Sequence, residues 1–510
     1  MTKEKFYITT SIAYTNAPPH IGYALELVQA DVMARHQRLL GKDVFFLTGT
    51  DEHGEKIVKA AEKAGKGLEE FTDDISSKFK DLAKILNISN DDFIRTTDEK
   101  RHWPTVQKTW KKLADKGDIY KKKYKGLYCV GCESFVKEKD LVSGLCPNHQ
   151  QAPEVVEEEN YFFKLSKYSD KVREAIKKDK IKIIPSGRKN EILSFIEQGI
   201  EDTSCSRSSE KLKWGIPVSG DDGQITYIWF EALLNYLSAL ESSGKEDFWP
   251  ADVHCIGKDI FRFHVLLWPA MLLALGKKLP KNIFVHGYIT SRGQKISKSL
   301  GNVVDPFELV EKYGVDPLRY FLLRELPSTE DGDFTLERLK ERYNSDLANG
   351  VGNTVNRVLT MVDKYADGII PEYKGIMLKE GKDLNLIRDS VFPRIFKDWQ
   401  WHLEHFYFNL CLKDIMEGFK EIDREIGIEK PWDSSKKFAS HKFYSWSEAI
   451  RILSVRLLPF IPNTAEEIIR KLGLDPEKEK NKNFGKAVEW DNSKPETKIK
   501  KGEILFPRLD

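Results

Sequence analysis

Residues 5–12 (KFYITTSI) form a β-prone run that leads through a turn, Thr15-Asn16-Ala17-Pro18-Pro19, into a helical pattern from Ala24 to Leu40. Leu25, Val28, Val32 and Leu39 recur at helical spacing, and Gly41 supplies the stop. Asp43 to Leu47 (DVFFL) then reads as a buried parallel strand, because its apolar residues run on without alternation. Strand, turn, helix, strand is a βαβ unit, the crossover that parallel strands require. This opening therefore commits the chain to a doubly wound α/β sheet. A second helix over 68–86 carries Phe71, Ile75, Phe79, Leu82 and Leu86, a stripe expected to be core packing.

The full 510 residues are too long for one ordinary domain, and ~150 residues per domain suggests roughly three. Near Gly117 the texture turns Lys-rich and aromatic with Cys clusters, and apolar α/β texture returns at Ile225. The division read from these shifts is an α/β segment over 1–116, an insertion over 117–224, a second α/β half over 225–342 and an α-helical bundle over 343–510. Helical patterns at 344–365, 390–425, 445–458 and 462–473 carry the bundle. The Lys/Glu/Asn-rich stretch 475–486 is expected to be a solvated connection.

Charge and cysteine usage narrow the class. With 81 Lys+Arg against 79 Asp+Glu the formal charge is +2, which excludes a uniformly basic nucleic-acid coat but leaves room for a local face. The start, MTKEKFYITTSIAY, lacks the basic lead and apolar core of a signal peptide. The apolar stretch Val265 to Ala274 is broken by Trp268-Pro269 and is too short to cross a bilayer. Six Cys, three of them near one His, are no disulfide framework, so a cytoplasmic enzyme without membrane partners is expected.

Two segments suit phosphate chemistry. Pro19-His20-Ile21-Gly22-Tyr23 lies where the first strand enters its helix. There, free backbone N–H groups and the dipole attract an anion, Gly22 permits close approach, and His20 can donate to a phosphate oxygen. Lys295-Ile296-Ser297-Lys298-Ser299 follows Gly293 in an expected loop, and its two Lys can neutralise a triphosphate as charge moves to the leaving group. Either alone reads equally as a structural His or a solvated loop. The strongest single motif is Cys129-x-x-Cys132 with Cys146-x-x-His149. Three thiolates and one imidazole in this pattern can close a tetrahedral, structural Zn²⁺ site, against the rival readings of a redox CxxC pair or buried unligated Cys. Cys205, Cys255 and Cys411 read as core residues.

In this order the two phosphate segments resemble the signature pair of the class I aminoacyl-tRNA synthetases, His-Ile-Gly-His and Lys-Met-Ser-Lys-Ser, with Tyr23 in place of the second His and Ile296 in place of Met. The zinc-motif region GDIYKKKYKGLYCVGCESF is similar to that of the methionyl-tRNA synthetase family. So are Gly49-Thr50-Asp51-Glu52-His53-Gly54, Trp229-Phe230-Glu231-Ala232, Gly257-Lys258-Asp259-Ile260 and Phe284-Val285-His286-Gly287-Tyr288, in family order along the chain. The resemblance implies a Rossmann-like doubly wound parallel sheet interrupted by a zinc-bearing insertion and followed by an α-helical bundle. It implies activation of L-methionine by ATP with Mg²⁺, then transfer to tRNA(Met). It assigns His20, Lys295 and Lys298 to catalysis, and Gly22, Tyr23, Glu26, Gly257, Asp259 and Lys298 to ATP. Ile12, Tyr14, Trp229, Ala232, Leu233, Tyr236, Ile260, Phe263 and His264 line the methionine side-chain pocket, and Asp51 holds the ammonium. One structural Zn²⁺ per chain falls to Cys129, Cys132, Cys146 and His149. An aromatic, nearly uncharged pocket is what a polarizable thioether calls for.

With a near-neutral chain, RNA must be held by local faces. Asn353 and Arg357 lie one helical turn apart, and Trp432 after Lys430-Pro431 offers a stacking plane. The resemblance makes these three the anticodon readers, although Glu421 to Ile426 departs from the family pattern upstream of Trp432. Lys111 to Lys125 is a second expected basic patch. The chain closes soon after Gly502-Glu503-Ile504-Leu505-Phe506-Pro507, so a monomer without an appended oligonucleotide-binding domain is expected. Two other classes stay open: a cysteine-specific ligase of the same fold, and a non-enzymatic RNA-binding module built on the zinc knuckle and the bundle.

Overall fold

The computed structural model describes residues 3–129, 134–136, 138, 141–147, 151–291, 293–295, 304–372, 385–433, 436–492 and 496–510. Its centre is a parallel sheet of seven strands: β1 Lys5–Thr10, β2 Ala13–Tyr14, β3 Asp43–Asp51, β4 Asp92–Arg95, β5 Lys182–Ile184, β6 Val253–Gly257 and β7 Asn282–His286. The order is β2-β3-β1-β6-β7-β5, with β4 also on β3. The doubly wound expectation holds. Register pairs such as Ile8 with Phe46 and Ile8 with Val253 place β1 in the middle, where β3 and β6 leave it on opposite sides.

The strand expected at 43–47 runs on to Asp51, and every residue from Val44 onward is buried. Polar Thr48, Thr50 and Asp51 would not be read as strand from hydropathy; β2 pairs Tyr14 with Asp51, and β4 pairs with β3 from Leu47 to Thr50. Gly49 permits that pairing, since a Cβ there would lie 2.1 Å from the Ile94 carbonyl oxygen. Helix α1, Ile21–Leu39, starts before the expected Ala24, because His20 supplies the cap and its side chain accepts from the Gly22 N–H.

The insertion is less separate than its texture implies. Ile119–Cys129, Ser134–Val136, Glu154–Phe163 and Thr203–Ser204 form an antiparallel sheet, yet β5, also within 117–224, is the edge strand of the central parallel sheet. The basic run is partly paired. Lys121 pairs with Asp221 at 2.8 Å and Glu159 at 3.7 Å, and Lys125 with Glu157 at 3.9 Å. Lys112 and Lys116 donate to the Leu275 and Ala274 carbonyls at 3.0 and 2.7 Å, capping the end of another helix. Lys111, Lys122 and Lys123 of the same run remain exposed. The acidic partners lie more than thirty residues away along the chain, invisible to a local reading.

The helical bundle follows, but the pattern at 390–425 is not one helix. It breaks between Trp399–Glu404 and Phe408–Glu429, where Phe406 takes a positive φ of 61° and stacks on Phe284 of β7 at 4.2 Å. The charged stretch 475–486 is likewise docked rather than solvated. Glu479 is buried against Arg451 at 3.1 Å, and Phe484 packs edge-on against His36 of α1 at 5.1 Å. One apolar cluster runs from Phe6, Ile8 and α1 into the bundle through Phe321, Phe408 and Phe460. Among the described residues no helix is long and apolar enough to cross a membrane.

His36 lies in this shared core, 1% exposed, with both ring nitrogens lacking a hydrogen-bond partner among the described residues. Burial, then the charges of Arg456 and Lys42, push its pKa from the usual 6.5 down to about 4. A base depressed in the folded state binds no proton where the unfolded chain does, so stability falls as pH drops from about 6.5 to about 4. At each pKa unit's ~1.4 kcal/mol this amounts to about 3 kcal/mol. His36→Leu is expected to flatten that part of the pH–stability curve, measured as urea midpoints from pH 7.5 to 4.5. An unchanged slope would show that other groups carry it.

Candidate active site

His20, Gly22, Asp51 and Gly257 lie at the carboxyl ends of β1, β3 and β6, where a doubly wound sheet opens its crevice at the switch in strand order. His20 caps α1 just past β1 and accepts from the Gly22 N–H through Nδ1 at 3.0 Å. A neutral ring then carries its proton on Nε2, the nitrogen able to donate to a phosphate oxygen. The open amides expected at this helix start are engaged: Ile21 N–H donates to Val304 O at 3.4 Å, and Tyr23 and Ala24 N–H to His20 O at 3.0 and 3.3 Å. Anion attraction here comes from the dipole and His20, not from vacant donors.

Tyr23 is turned into the sheet. Its hydroxyl lies 2.9 Å from Thr48 Oγ1, its ring meets Phe79 edge-on at 5.1 Å, and burial raises its pKa. Glu26 is 4% exposed and clamps three elements. Its Oε1 accepts from Ser11 N–H and Oγ–H at 2.7 and 2.6 Å, and its Oε2 meets His286 Nε2 at 2.8 Å. Burial alone would lower the His286 pKa, but Glu26 more than offsets it and raises it. At the end of β6, a Cβ on Gly257 would lie 2.8 Å from Asp259 Oδ1, the end of a side chain that can swing aside, and 3.6 Å from His286 Nε2. Asp259 is exposed beside it.

The expected side-chain pocket is assembled from three segments. Trp229 stacks on Phe263 at 4.0 Å with the rings 5° apart, and Tyr236 donates to His264 Nε2 at 2.8 Å. His264 Nδ1–H in turn donates to Ile260 O at 3.1 Å. Ala232, Leu233, Tyr236 and His264 are buried, while Ile12, Tyr14, Trp229, Ile260 and Phe263 are half-buried against the same apolar cluster. Burial pushes His264 down to about 4, so this wall is uncharged near neutrality. Behind it, His254 lies 4.3 Å from the Tyr236 ring, donates through Nδ1 to Thr9 Oγ1 at 2.8 Å and is also held neutral by burial. Asp51, 5% exposed at the end of β3, supplies a carboxylate, and the Thr96 hydroxyl lies 3.5 Å from its Oδ1. Next to it, fully buried Glu52 takes Arg95 through both oxygens at 2.7 and 2.8 Å.

His53, His102 and His254 belong to this neighbourhood as well. His53 and Glu231 stood inside quoted motifs, but nothing local marks His102 or His254 as their neighbours. Lys298, Cys132 and His149 lie outside the described residues, as does the side chain of Lys295 on the short strand Gln294–Lys295. Cys129 and Cys146 are 2% and 1% exposed, which fits the closed, water-free character of a structural thiolate site. Among the described residues alone, no group of three or more His, Cys, Asp or Glu is placed to hold a metal. Cys205, Cys255 and Cys411 are buried with thiol pKa values raised by that burial, as core residues should be.

In the bundle, Asn353 is exposed at the start of Asn353–Tyr365, and Arg357 one turn on is held by an ion pair with Asp423 of the neighbouring helix. Trp432 follows the end of Phe408–Glu429 with 48% of its surface exposed.

The family model described as tRNA synthetases class I (M) matches residues 6–154 and 148–359. The methionine–tRNA ligase of Caldanaerobacter subterraneus subsp. tengcongensis is 43% identical over 518 residues, spanning 100% of this chain and 79% of the relative. That of Thermotoga maritima is 42% identical over 521 residues, spanning 99% and 80%. The solved structure of Mycobacterium tuberculosis methionyl-tRNA synthetase in complex with methionyl-adenylate superposes with a TM-score of 0.92 at 36% identity, covering 99% of this chain and 100% of that one. Matches of this extent leave neither a cysteine-specific ligase nor a non-enzymatic RNA-binding module as the reading. The chain belongs to the methionyl-tRNA synthetases of class I and is a methionine–tRNA ligase.

Proposed function

We propose that the crevice at β1, β3 and β6 binds L-methionine and ATP together, forms methionyl-adenylate and passes the methionyl group to the 3′ end of tRNA(Met). The observation that carries this is the uncharged aromatic wall of Trp229, Phe263, Tyr236 and neutral His264, with the buried Asp51 carboxylate beside it. Such a wall suits a thioether, and the carboxylate suits an ammonium. Ile12, Tyr14, Ala232, Leu233 and Ile260 complete the apolar lining.

In the first step a methionine carboxylate oxygen attacks the α-phosphorus, and the bond to the departing pyrophosphate breaks. His20 donates to phosphate oxygen at the α1 terminus, and Gly22, Tyr23, Glu26, Gly257 and Asp259 shape the nucleotide side. Lys295 and Lys298 offset charge as it moves onto pyrophosphate, while Mg²⁺ enters with ATP. In the second step a terminal ribose hydroxyl of tRNA attacks the methionyl carbonyl and AMP leaves. No side chain forms a covalent intermediate; positioning and electrostatics supply the acceleration. Cys129, Cys132, Cys146 and His149 would hold one structural zinc, which ties down the knuckle of the insertion.

Asn353, Arg357 and Trp432 are proposed to read the anticodon. Asp423 orients the Arg357 guanidinium before RNA arrives, and the exposed Trp432 ring offers a stacking face. Trp432→Ala is expected to raise KM for tRNA(Met) by roughly tenfold or more, since base stacking contributes ~1–3 kcal/mol, with ATP–pyrophosphate exchange unchanged. An unaltered tRNA KM would remove Trp432 from the interface. The enzyme is expected to act in the cytoplasm and to sediment as a monomer; a stable dimer at micromolar protein would overturn the latter.

The decisive test of the whole reading is ATP–pyrophosphate exchange across the twenty amino acids. Exchange that depends on methionine supports it. Exchange with cysteine only, or with none, rejects it.

A further inference from the structure

Four buried polar side chains behind the pocket wall form one run of hydrogen bonds. Glu231 is wholly buried, with Oε1 2.9 Å from His53 Nδ1 and Oε2 2.8 Å from His102 Nε2. His102, also wholly buried, continues through Nδ1 to the Ser238 hydroxyl at 2.8 Å. The four come from four places: the loop after β3, the turn before helix Trp103–Asp115, helix Ile228–Ala232 and helix Asn235–Ser243.

A carboxylate is costly to bury unless its oxygens are fully partnered, and here both are. Burial works to raise the Glu231 pKa, but His53 and His102 more than offset it and hold the group ionised. An ionised Glu231 accepts from both rings, which fixes a proton on His53 Nδ1 and on His102 Nε2. Each contact tolerates only a few tenths of an ångström, so the run works as a spacer between the segments that carry it.

Those segments are the ones assigned above to the amino acid. His53 lies two residues after Asp51, Glu231 two after Trp229, and Ser238 two after Tyr236. The loop after β3 is held from its other side as well: the Trp214 indole donates to Glu52 O at 2.5 Å and lies edge-on to His53 at 5.6 Å.

We propose that Glu231, with His53, His102 and Ser238, is a positioning network that sets the distance between the Asp51 carboxylate and the Trp229–Tyr236 wall. It touches neither methionine nor ATP. It acts by presenting the ammonium anchor and the side-chain pocket at the separation one amino acid requires, so its loss weakens methionine selectively. This rests on the pocket assignment proposed above.

Glu231→Gln tests it with little change of shape. An amide has one acceptor oxygen and one donor nitrogen, so both imidazoles can no longer donate to it and one contact is lost or rearranged. In ATP–pyrophosphate exchange well below the unfolding midpoint, KM for methionine is expected to rise roughly tenfold, as small misplacements of binding groups do, with KM for ATP unchanged. Ser238→Ala, which loses only the far end of the run, is expected to shift methionine KM in the same direction by less. An unchanged methionine KM in Glu231→Gln, or equal rises for methionine and ATP, overturns the proposal. Should Glu231→Gln not fold, an unchanged methionine KM in Ser238→Ala does so instead. Trp229→Ala separates the underlying reading: a methionine KM unchanged there rejects the pocket itself, whereas a raised value there beside an unchanged Glu231→Gln rejects only the network.

Discussion

Asp51→Asn is expected to lower kcat/KM for methionine in ATP–pyrophosphate exchange by roughly 10²–10³-fold, the cost of stripping one partner from a buried charge pair. The backbone at Asp51 is held independently of its side chain: Thr15 N–H and Oγ–H donate to its carbonyl at 3.0 and 3.1 Å. Asparagine keeps that geometry and the side-chain shape while removing the charge. The side chain is 5% exposed, so little water is at hand to take over from the missing carboxylate. KM for ATP should change little, because the residues proposed for the nucleotide lie at α1 and the end of β6. A loss smaller than about tenfold would place the ammonium elsewhere.

Arg319→Ala is expected to destabilise the protein by about 3–5 kcal/mol, the range found when one partner of a buried ion pair is removed. Arg319 is 0% exposed and lies 2.7 Å from Asp31 of α1, which is also 0% exposed. Its other donors reach Phe460 O at 2.8 Å and Leu86 O and Pro459 O both at 3.0 Å. One guanidinium thus joins α1, the end of helix Leu68–Ile85 and the Pro459–Phe460 turn of the bundle. Truncation strands three carbonyls and leaves Asp31 with Arg35 and Ser89 as its remaining partners. Arg319→Met should cost less than Arg319→Ala, because both leave the same carbonyls unpaired but the longer side chain fills the space that alanine leaves empty. Urea midpoints of the three chains check this. A loss below about 1 kcal/mol for Arg319→Ala would show that the pair contributes no more than a surface bridge.

Much of this enzyme was legible in its residues. The βαβ opening follows from period and punctuation alone, since only a crossover links parallel strands and DVFFL has no polar face. The phosphate segments and the Cys/His pattern stand out by residue type at short, local spacing, whereas the pocket aromatics, scattered along the chain, are singled out only through the family resemblance. Errors gathered where a partner lay far along the chain. The run Lys121 to Lys125 reads as uniformly unpaired until Glu157, Glu159 and Asp221 are folded against Lys121 and Lys125. The stretch 475–486 reads as solvated until Arg451 and His36 meet it. The pattern at 390–425 reads as one helix until Phe406 breaks it to reach Phe284.

The residues by themselves therefore determined the fold class, the order of the chemical motifs and the family, since periodicity and signature spacing are properties of neighbouring positions. Tertiary structure alone decided which charges are spent. His20 takes the Gly22 amide, Tyr23 turns to Thr48, Glu26 clamps Ser11 and His286, and Glu231 spans His53 and His102. The physical reason is burial. A polar group inside the protein must find its partner in three dimensions, and that partner is set by which strands and helices pack together, not by which residues adjoin in the chain.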